Sequence, residues 1–279
     1  MAPQIPQPDY EYNVAQLVAY YRRALADIQR ELDRLDLTDT RRAHMLAVQR
    51  EIAKLLKELD KKATEWVEQN IPIAVEDGII RTLVALELVA NTDEARKVVA
   101  FNRLNRDLIA TAVADTQADL LAITQNVDRK LRTAIRQAMA LSVRTNMTQG
   151  INGVRTIQRD FLAEARAILG DALNTGIIDA ANRRWKPTVY AEMVARTKMM
   201  RTHEEATVNE AVSRGALYGV ISRHGATDAC RNWEGRIVKL VAGAPGDYPY
   251  VGSLPRREIF HPNCRHQILP LRDPDRLNN

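Results

Sequence analysis

Near the C-terminal end the chain reads His261-Pro262-Asn263-Cys264-Arg265-His266, and upstream of it stand His224, Asp228 and Cys230. Thiolate is a soft ligand and imidazole a borderline one. A His and a Cys three positions apart, with a second His two further on, can present all three to one centre. Cys230, on a facing loop, would close a tetrahedral set of Cys230, His261, Cys264 and His266 suited to a structural Zn2+. In a module of about 60 residues a metal would supply cohesion that short strands cannot. A metal-free reading competes: Pro262-Asn263 makes a turn, Cys264 is a small buried hydrophobe and His261 bonds a backbone carbonyl. A Cys230–Cys264 disulfide is a third option, disfavoured in a reducing cytosol. Trp233 occupies the place where a Cys-x-x-Cys pair would put its second thiol.

Catalysis has less to build on. There is no Gly-x-Ser-x-Gly elbow, Gly-rich phosphate loop or His-Glu-x-x-His helix. His203-Glu204-Glu205 lacks a second His at the required spacing. No catalytic residue is expected, and the protein reads as a non-enzyme. Glu234 and Glu258, close to the Cys/His group, leave a metal-dependent hydrolase or nuclease as the alternative.

The elements that must position this group are mostly helices. Residues 1–13, with Pro3, Pro6 and Pro8, read as an extended arm. From Val14 the apolar residues Val18, Tyr21, Leu25, Ile28, Leu32 and Leu35 follow at alternating steps of four and three, the seam of a helix. The pattern resumes from Met45 to Val67 after the turn-and-cap stretch Asp36–Thr40. Residues 14–70 are therefore expected to form an antiparallel helical hairpin, with an apolar stripe open to self-association. Pro72 is expected to end its second helix. Residues 71–218 read as a helical body. Its helices fall at 74–90, after the Asn91-Thr92-Asp93 cap, at 105–146, at 154–169, at 171–183 and, from Pro187 in a first turn, at 187–217.

After Gly219 the texture changes. Val220–Ser222, Arg236–Leu240 and Ile268–Leu271 are short β-branched runs, the last marked as an edge strand by Pro270. Residues 219–279 thus read as a small strand-and-loop module holding both cysteines. The fold class expected is mainly α, an elongated helical bundle or hairpin body with a small C-terminal α+β module.

Charge sharpens the division. From Arg183 onward there are 16 Lys/Arg and 10 Asp/Glu, whereas the first 182 residues carry 24 and 25, so the net +5 belongs to the C-terminal third. A basic third suits nucleic acid or an acidic protein surface. Arg231, Arg236, Arg256, Arg257 and Arg265 are the candidates for phosphate contact. No apolar run approaches the roughly 18–20 residues of a membrane span, and the start lacks the layout of a secretory signal.

Four blocks taken in order are more specific than any one alone: Ala195-Arg196-Thr197, then Asp228-Ala229-Cys230 with Trp233-Glu234-Gly235-Arg236, then Gly246-Asp247-Tyr248-Pro249, then His261 to His266 followed by Pro270. The series resembles the minor capsid, or head morphogenesis, proteins of tailed bacteriophages, including the phage Mu-type minor head family, over about residues 190–271. Lys198 stands where many members carry Glu, Trp233 where many carry the second Cys, and His266 where many carry a final Cys. Histidine can replace cysteine at zinc. The resemblance implies a low-copy structural protein, assembled in the bacterial cytoplasm and built into the virion head. It also implies contacts with the portal protein, the capsid interior and packaged double-stranded DNA. A helical connector that never touches nucleic acid is the blander reading.

Overall fold

The structure, a computed structural model, describes residues 7–35, 42–148, 154–174, 177–178 and 183–277. It is 69% helical. The described residues form α1 (Glu11–Asp33), α2 (Arg42–Ala85), α3 (Thr92–Val98), α4 (Arg103–Thr148), α5 (Val154–Asn174), β1 (Ile177–Ile178), β2 (Arg184–Trp185), α6 (Pro187–Ser213), β3 (Tyr218–Ile221), β4 (Ile237–Lys239) and β5 (Ile268–Leu271). The mainly-α reading with a small strand module at the end is the architecture found.

The chain divides into two compact units. The bundle unit holds Val14–Trp66 and Gln117–Glu192; the terminal unit holds Met1–Asn13, Val67–Thr116 and Met193–Asn279. In the bundle unit Ile28, Leu32 and Leu35 meet Val48, Ile52 and Leu56 of α2. They are joined there by Val127, Leu131, Ala134, Ile135, Ala138 and Met139 of α4, and by Ala165, Leu169 and Leu173 of α5. The α4 residues recur at helical spacing, so one stripe faces the core. The later part of the α1 seam is therefore covered by helices of the same chain.

In the terminal unit Val75, Ile79, Ile80, Leu83 and Val84 of α2 pack with Ala95 of α3 and Ala206 of α6. α2 and α6 approach closely at Gly78. A Cβ there would lie 2.5 Å from the His203 carbonyl oxygen and 2.9 Å from Ala206 Cβ, so glycine is what allows the contact. A second cluster gathers Ala211, Ile221, Cys230, Val238, Leu240, Val251, Leu254, Ile259, Cys264 and Ile268 beneath the terminal sheet.

Several boundaries differ from the sequence expectation. Pro72 lies inside α2, which runs on to Ala85 rather than ending. An internal proline costs about 3 kcal/mol. The fully buried Val67, Ile71, Ala74 and Val75 on both sides return about 1.5–3 kcal/mol for each larger side chain, which outweighs it. The helix stops where Glu87 takes φ 56° and Leu88 N–H reaches back to Leu83 O at 2.9 Å. α6 ends by the same device: Gly215 has φ 75° and Ala216 N–H donates to Ala211 O at 3.0 Å, closing the helix before 217. α5 passes through Gly170, and the helix expected at 171–183 is replaced by its last turn and the antiparallel β1–β2 pair. The expected short helix after Asn91 is α3, and Asn91 caps it by accepting from Glu94 N–H at 2.9 Å. Residues 149–153 of the break expected between the helices at 105–146 and 154–169, the turn at Asp36–Thr40 and the Pro3/Pro6 part of the arm lie outside the described residues.

Candidate metal centre

The terminal sheet is antiparallel in the order β4-β3-β5, with Gly219 opposite Val238 on one side and Pro270 on the other. Pro270 lacks an N–H, and its strand is an edge, as its presence in the sequence foretold. Gly219 lets the sheet close over its core, since a Cβ there would run into Ile268 Cγ2. Two loops from this sheet carry the ligand-type residues. Asp228 caps the 3₁₀ turn Ala229–Trp233, its Oδ1 accepting from Cys230 N–H at 3.0 Å. His261-Pro262-Asn263-Cys264 is a tight turn in which Cys264 N–H donates to His261 O at 2.9 Å. Asn263 sits at φ 65°, a left-handed position that asparagine tolerates, and proline suits the position before it.

The two loops bring the sulfurs together. Cys230 Sγ lies 3.7 Å from Cys264 Sγ, and Cys264 Sγ lies 3.4 Å from His266 Nδ1. Both thiols are free and buried; a disulfide would need about 2.05 Å. Ligand bonds of about 2.3 Å to sulfur and about 2.0 Å to nitrogen at tetrahedral angles separate two sulfurs by about 3.8 Å and a sulfur and a nitrogen by about 3.5 Å. The donor atoms of Cys230, Cys264 and His266 all lie within 4.8 Å of one another, so the spacing fits a tetrahedral cation.

His261 belongs to a second set with Asp228 and Cys230. Its Nε2 is 3.1 Å from Cys230 Sγ and 3.1 Å from Asp228 Oδ2. Nδ1 lies 2.9 Å from Pro262 O, which can only accept, and this assigns the Nδ1 proton. With that tautomer Nε2 can accept from the Cys230 S–H or hold a cation shared with Cys230 and Asp228. Of the four residues chosen from sequence, three converge and the fourth shares Cys230 while facing Asp228.

Glu234 orients the set. Its Oε1 accepts from the His224 and Ala226 N–H groups, each at 3.0 Å, and lies 3.2 Å from His266 Nε2. The two backbone donors above all, then His266, hold its carboxyl down to about 2. With Nε2–H directed at Glu234, His266 turns Nδ1 toward Cys264, as a carboxylate orients a metal-ligating histidine. Burial, then the neighbouring His224, lowers the His266 pKa and favours the neutral ring that metals bind. Burial, then Cys264 and Asp228, pushes the Cys230 thiol up. A coordinated cation would favour the thiolate against that push.

The five candidate arginines are exposed but not equivalent. Arg236 lies over the Trp233 ring at 5.0 Å and Arg256 over Phe260 at 5.5 Å. Arg256 also approaches Glu204 at 3.8 Å, and Arg265 approaches Glu11 at 3.5 Å. Glu11 takes two bonds from Arg196, at 3.0 and 2.8 Å, and Arg196 donates to Asn263 Oδ1 at 3.1 Å. The first turn of α1 is thereby tied to the His-Pro-Asn-Cys turn. A cavity of about 230 Å³ beside the cluster is lined by Glu204, Arg256, His261, Cys264 and His266, among others. Sequence reasoning missed Glu11 altogether, weighed Glu204 only as part of a His-Glu-x-x-His motif that is absent, and took Glu234 for a carboxylate near a metal rather than a holder of His266. Spacing along the chain carries no signal for a contact 185 residues away.

These features define a mainly helical protein with a compact Cys/His end module. The family model for phage minor capsid protein 2 matches residues 11–272, and the chain belongs to that family. Its role is structural, in the phage head, and the virion is where it acts. No curated protein and no solved structure matches it. No helix among the described residues is long and apolar enough to cross a membrane.

Proposed function

We propose that the protein is a low-copy head component, assembled in the host cytoplasm, that docks at or near the portal vertex and touches packaged double-stranded DNA. In this reading the terminal module is a knob pinned by one structural Zn2+. Cys230, Cys264 and His266 hold the ion, His261 or Asp228 closes the set, and exposed arginines such as Arg231 and Arg257 face phosphate. The observation that carries it is the convergence of two buried thiols and one oriented imidazole in a module whose strands are only three or four residues long. Small modules of this kind lean on a metal for order.

Native mass spectrometry of the purified chain tests the knob. One zinc per chain is expected, absent from Cys264→Ser, and chelator should expose the region after 214 to protease while the bundle unit stays protected. A metal-free protein with an equally resistant end module overturns the pinning. Co-purification with portal protein tests the docking.

The cavity beside the cluster favours a second reading, a metal-dependent hydrolase, because it places Glu204 and Arg256 in the same space as His261, Cys264 and His266. DNA cleavage that requires added divalent metal and is lost in His261→Ala would establish it.

A further inference from the structure

The bundle unit carries a groove that is unrelated to the Cys/His cluster. About 780 Å³ in volume, it runs between α4, α5 and β2. On its α4 wall Asn126, Arg129, Lys130, Thr133 and Gln137 follow one another at helical spacing, each with a side-chain donor, and this stripe holds no carboxylate. Asp128, the acid nearest in sequence, pairs with Arg132 instead, at 2.8 Å. Arg184 of β2 joins the rim, and Asp171 is the single acid among the described residues that line it. Three cations against one carboxylate among those residues leave the groove net positive, in a unit whose residues 14–66 and 117–192 carry 22 Lys/Arg against 16 Asp/Glu. Burial and then the Arg184 charge lower the Lys130 pKa, Asp171 opposes them, and Arg129 lowers it further, so the cations and the one acid lie within electrostatic reach of each other. The floor, with Ala134, Ala167 and Ala172, is made of short side chains that let a bulky chain come close.

We infer that this groove is a contact site for the phosphate backbone of nucleic acid, held by Arg129, Lys130 and Arg184. The inference rests on the DNA contact proposed above but moves its main seat from the C-terminal arginines to α4. Cations and neutral donors ranged along a helix face position a backbone without reading bases, so binding should be indifferent to sequence and steep in salt.

The test is fluorescence anisotropy of a labelled 30-base-pair duplex at 50–300 mM KCl, with the full chain. The triple variant Arg129→Gln/Lys130→Gln/Arg184→Gln should bind at least about 10-fold more weakly at 100 mM salt. Its slope of log K against log salt should fall by about 2–3, at roughly 0.9 per phosphate contact. Arg231→Gln/Arg257→Gln should weaken binding less than the triple variant does, and Asp171→Asn should tighten binding about 2-fold, which keeps the test open even if the triple variant folds poorly. A wild type that binds steeply in salt, with the triple and Asp171 variants indistinguishable from it, overturns the groove and leaves DNA contact standing. A wild type that ignores the duplex at every salt overturns both. So does one that takes polyglutamate instead, which would mark an acidic protein surface as the occupant.

Discussion

The two units hold themselves together by different means. Among the described residues the bundle unit buries Thr124 and the aromatic side chains Tyr21 and Trp66, Tyr21 donating its hydroxyl to Leu120 O, and its core is otherwise a set of Leu, Ile, Val, Ala and Met layers. The terminal unit buries Arg81, His203, Glu204, Glu210 and His266 together with both thiols. Apolar burial is non-directional and nearly independent of pH. Buried polar groups cost free energy unless each finds a partner, and they fix geometry when they do. The first unit is thus built for bulk stability, and the second for a defined arrangement of particular groups.

The largest expected effect lies in the bundle. Ile135 is fully buried in the α4 stripe, and Ile135→Ala removes its packing and leaves a cavity, costing about 2–5 kcal/mol. Urea unfolding followed by circular dichroism should show that loss unchanged between pH 5 and pH 8. A loss that varied by more than about 1 kcal/mol over that range would mean that the bundle, too, depends on titrating groups.

The terminal unit should behave in the opposite way, and Glu204 is where to look. Burial pushes its carboxyl up to about 8, opposed mainly by Arg256, against about 4.3 in an unfolded chain. The folded state therefore favours the protonated acid. Its contribution is whole below about pH 4.3 and is lost as pH rises through about 8. Glu204→Gln keeps the neutral shape without the charge. It should match the wild type near pH 5 and exceed it by on the order of 2–5 kcal/mol at pH 9. Thermal melts across that range check it, and equal melting curves at pH 9 would place Glu204 in a wetter setting than its burial implies.

This contrast also explains what the sequence revealed. Heptad steps from Val14 to Leu35 and the run of good helix formers without Pro or Gly over 105–146 are local features, and they announced the helices correctly. The β-branched runs around Val220, Ile237 and Ile268, with Pro270 at an edge, announced the sheet. Pro72 misled because a local rule was overridden by buried neighbours on both sides. Gly170 misled in the same way, and the end of α6 was set by a left-handed glycine one turn earlier than the apolar pattern ran out. In the site, residue type named Cys230, Cys264 and His266. That His261 would turn to Asp228, and that Glu234 would gather two backbone donors with His266, depends on loop conformations that composition does not encode.

The smallest expected effect concerns the tie between α1 and the ligand-bearing turn. Glu11 is half exposed, whereas the Arg196 side chain is 18% exposed and also holds Asn263. Arg196, through its hydrogen bonds, draws the Glu11 carboxyl below its ordinary range. Exposed ion pairs contribute about 0–1 kcal/mol, but a two-bond arginine–carboxylate geometry lies toward the upper end. Glu11→Ala should therefore cost about 0.5–1 kcal/mol at low salt and less at 0.5 M salt, where screening weakens the pair. The acid's folded pKa is depressed, so its contribution is present above about pH 4.3 and fades as pH falls below that. A double-mutant cycle with Arg196→Ala separates the pair from the Arg196–Asn263 bond. Coupling near zero, with Arg196→Ala alone costly, would make Arg196 a support for the Asn263 turn and α1 a bystander. Coupling that survives high salt would show that even the exposed rim of the terminal unit works by fixed geometry, as its buried groups do.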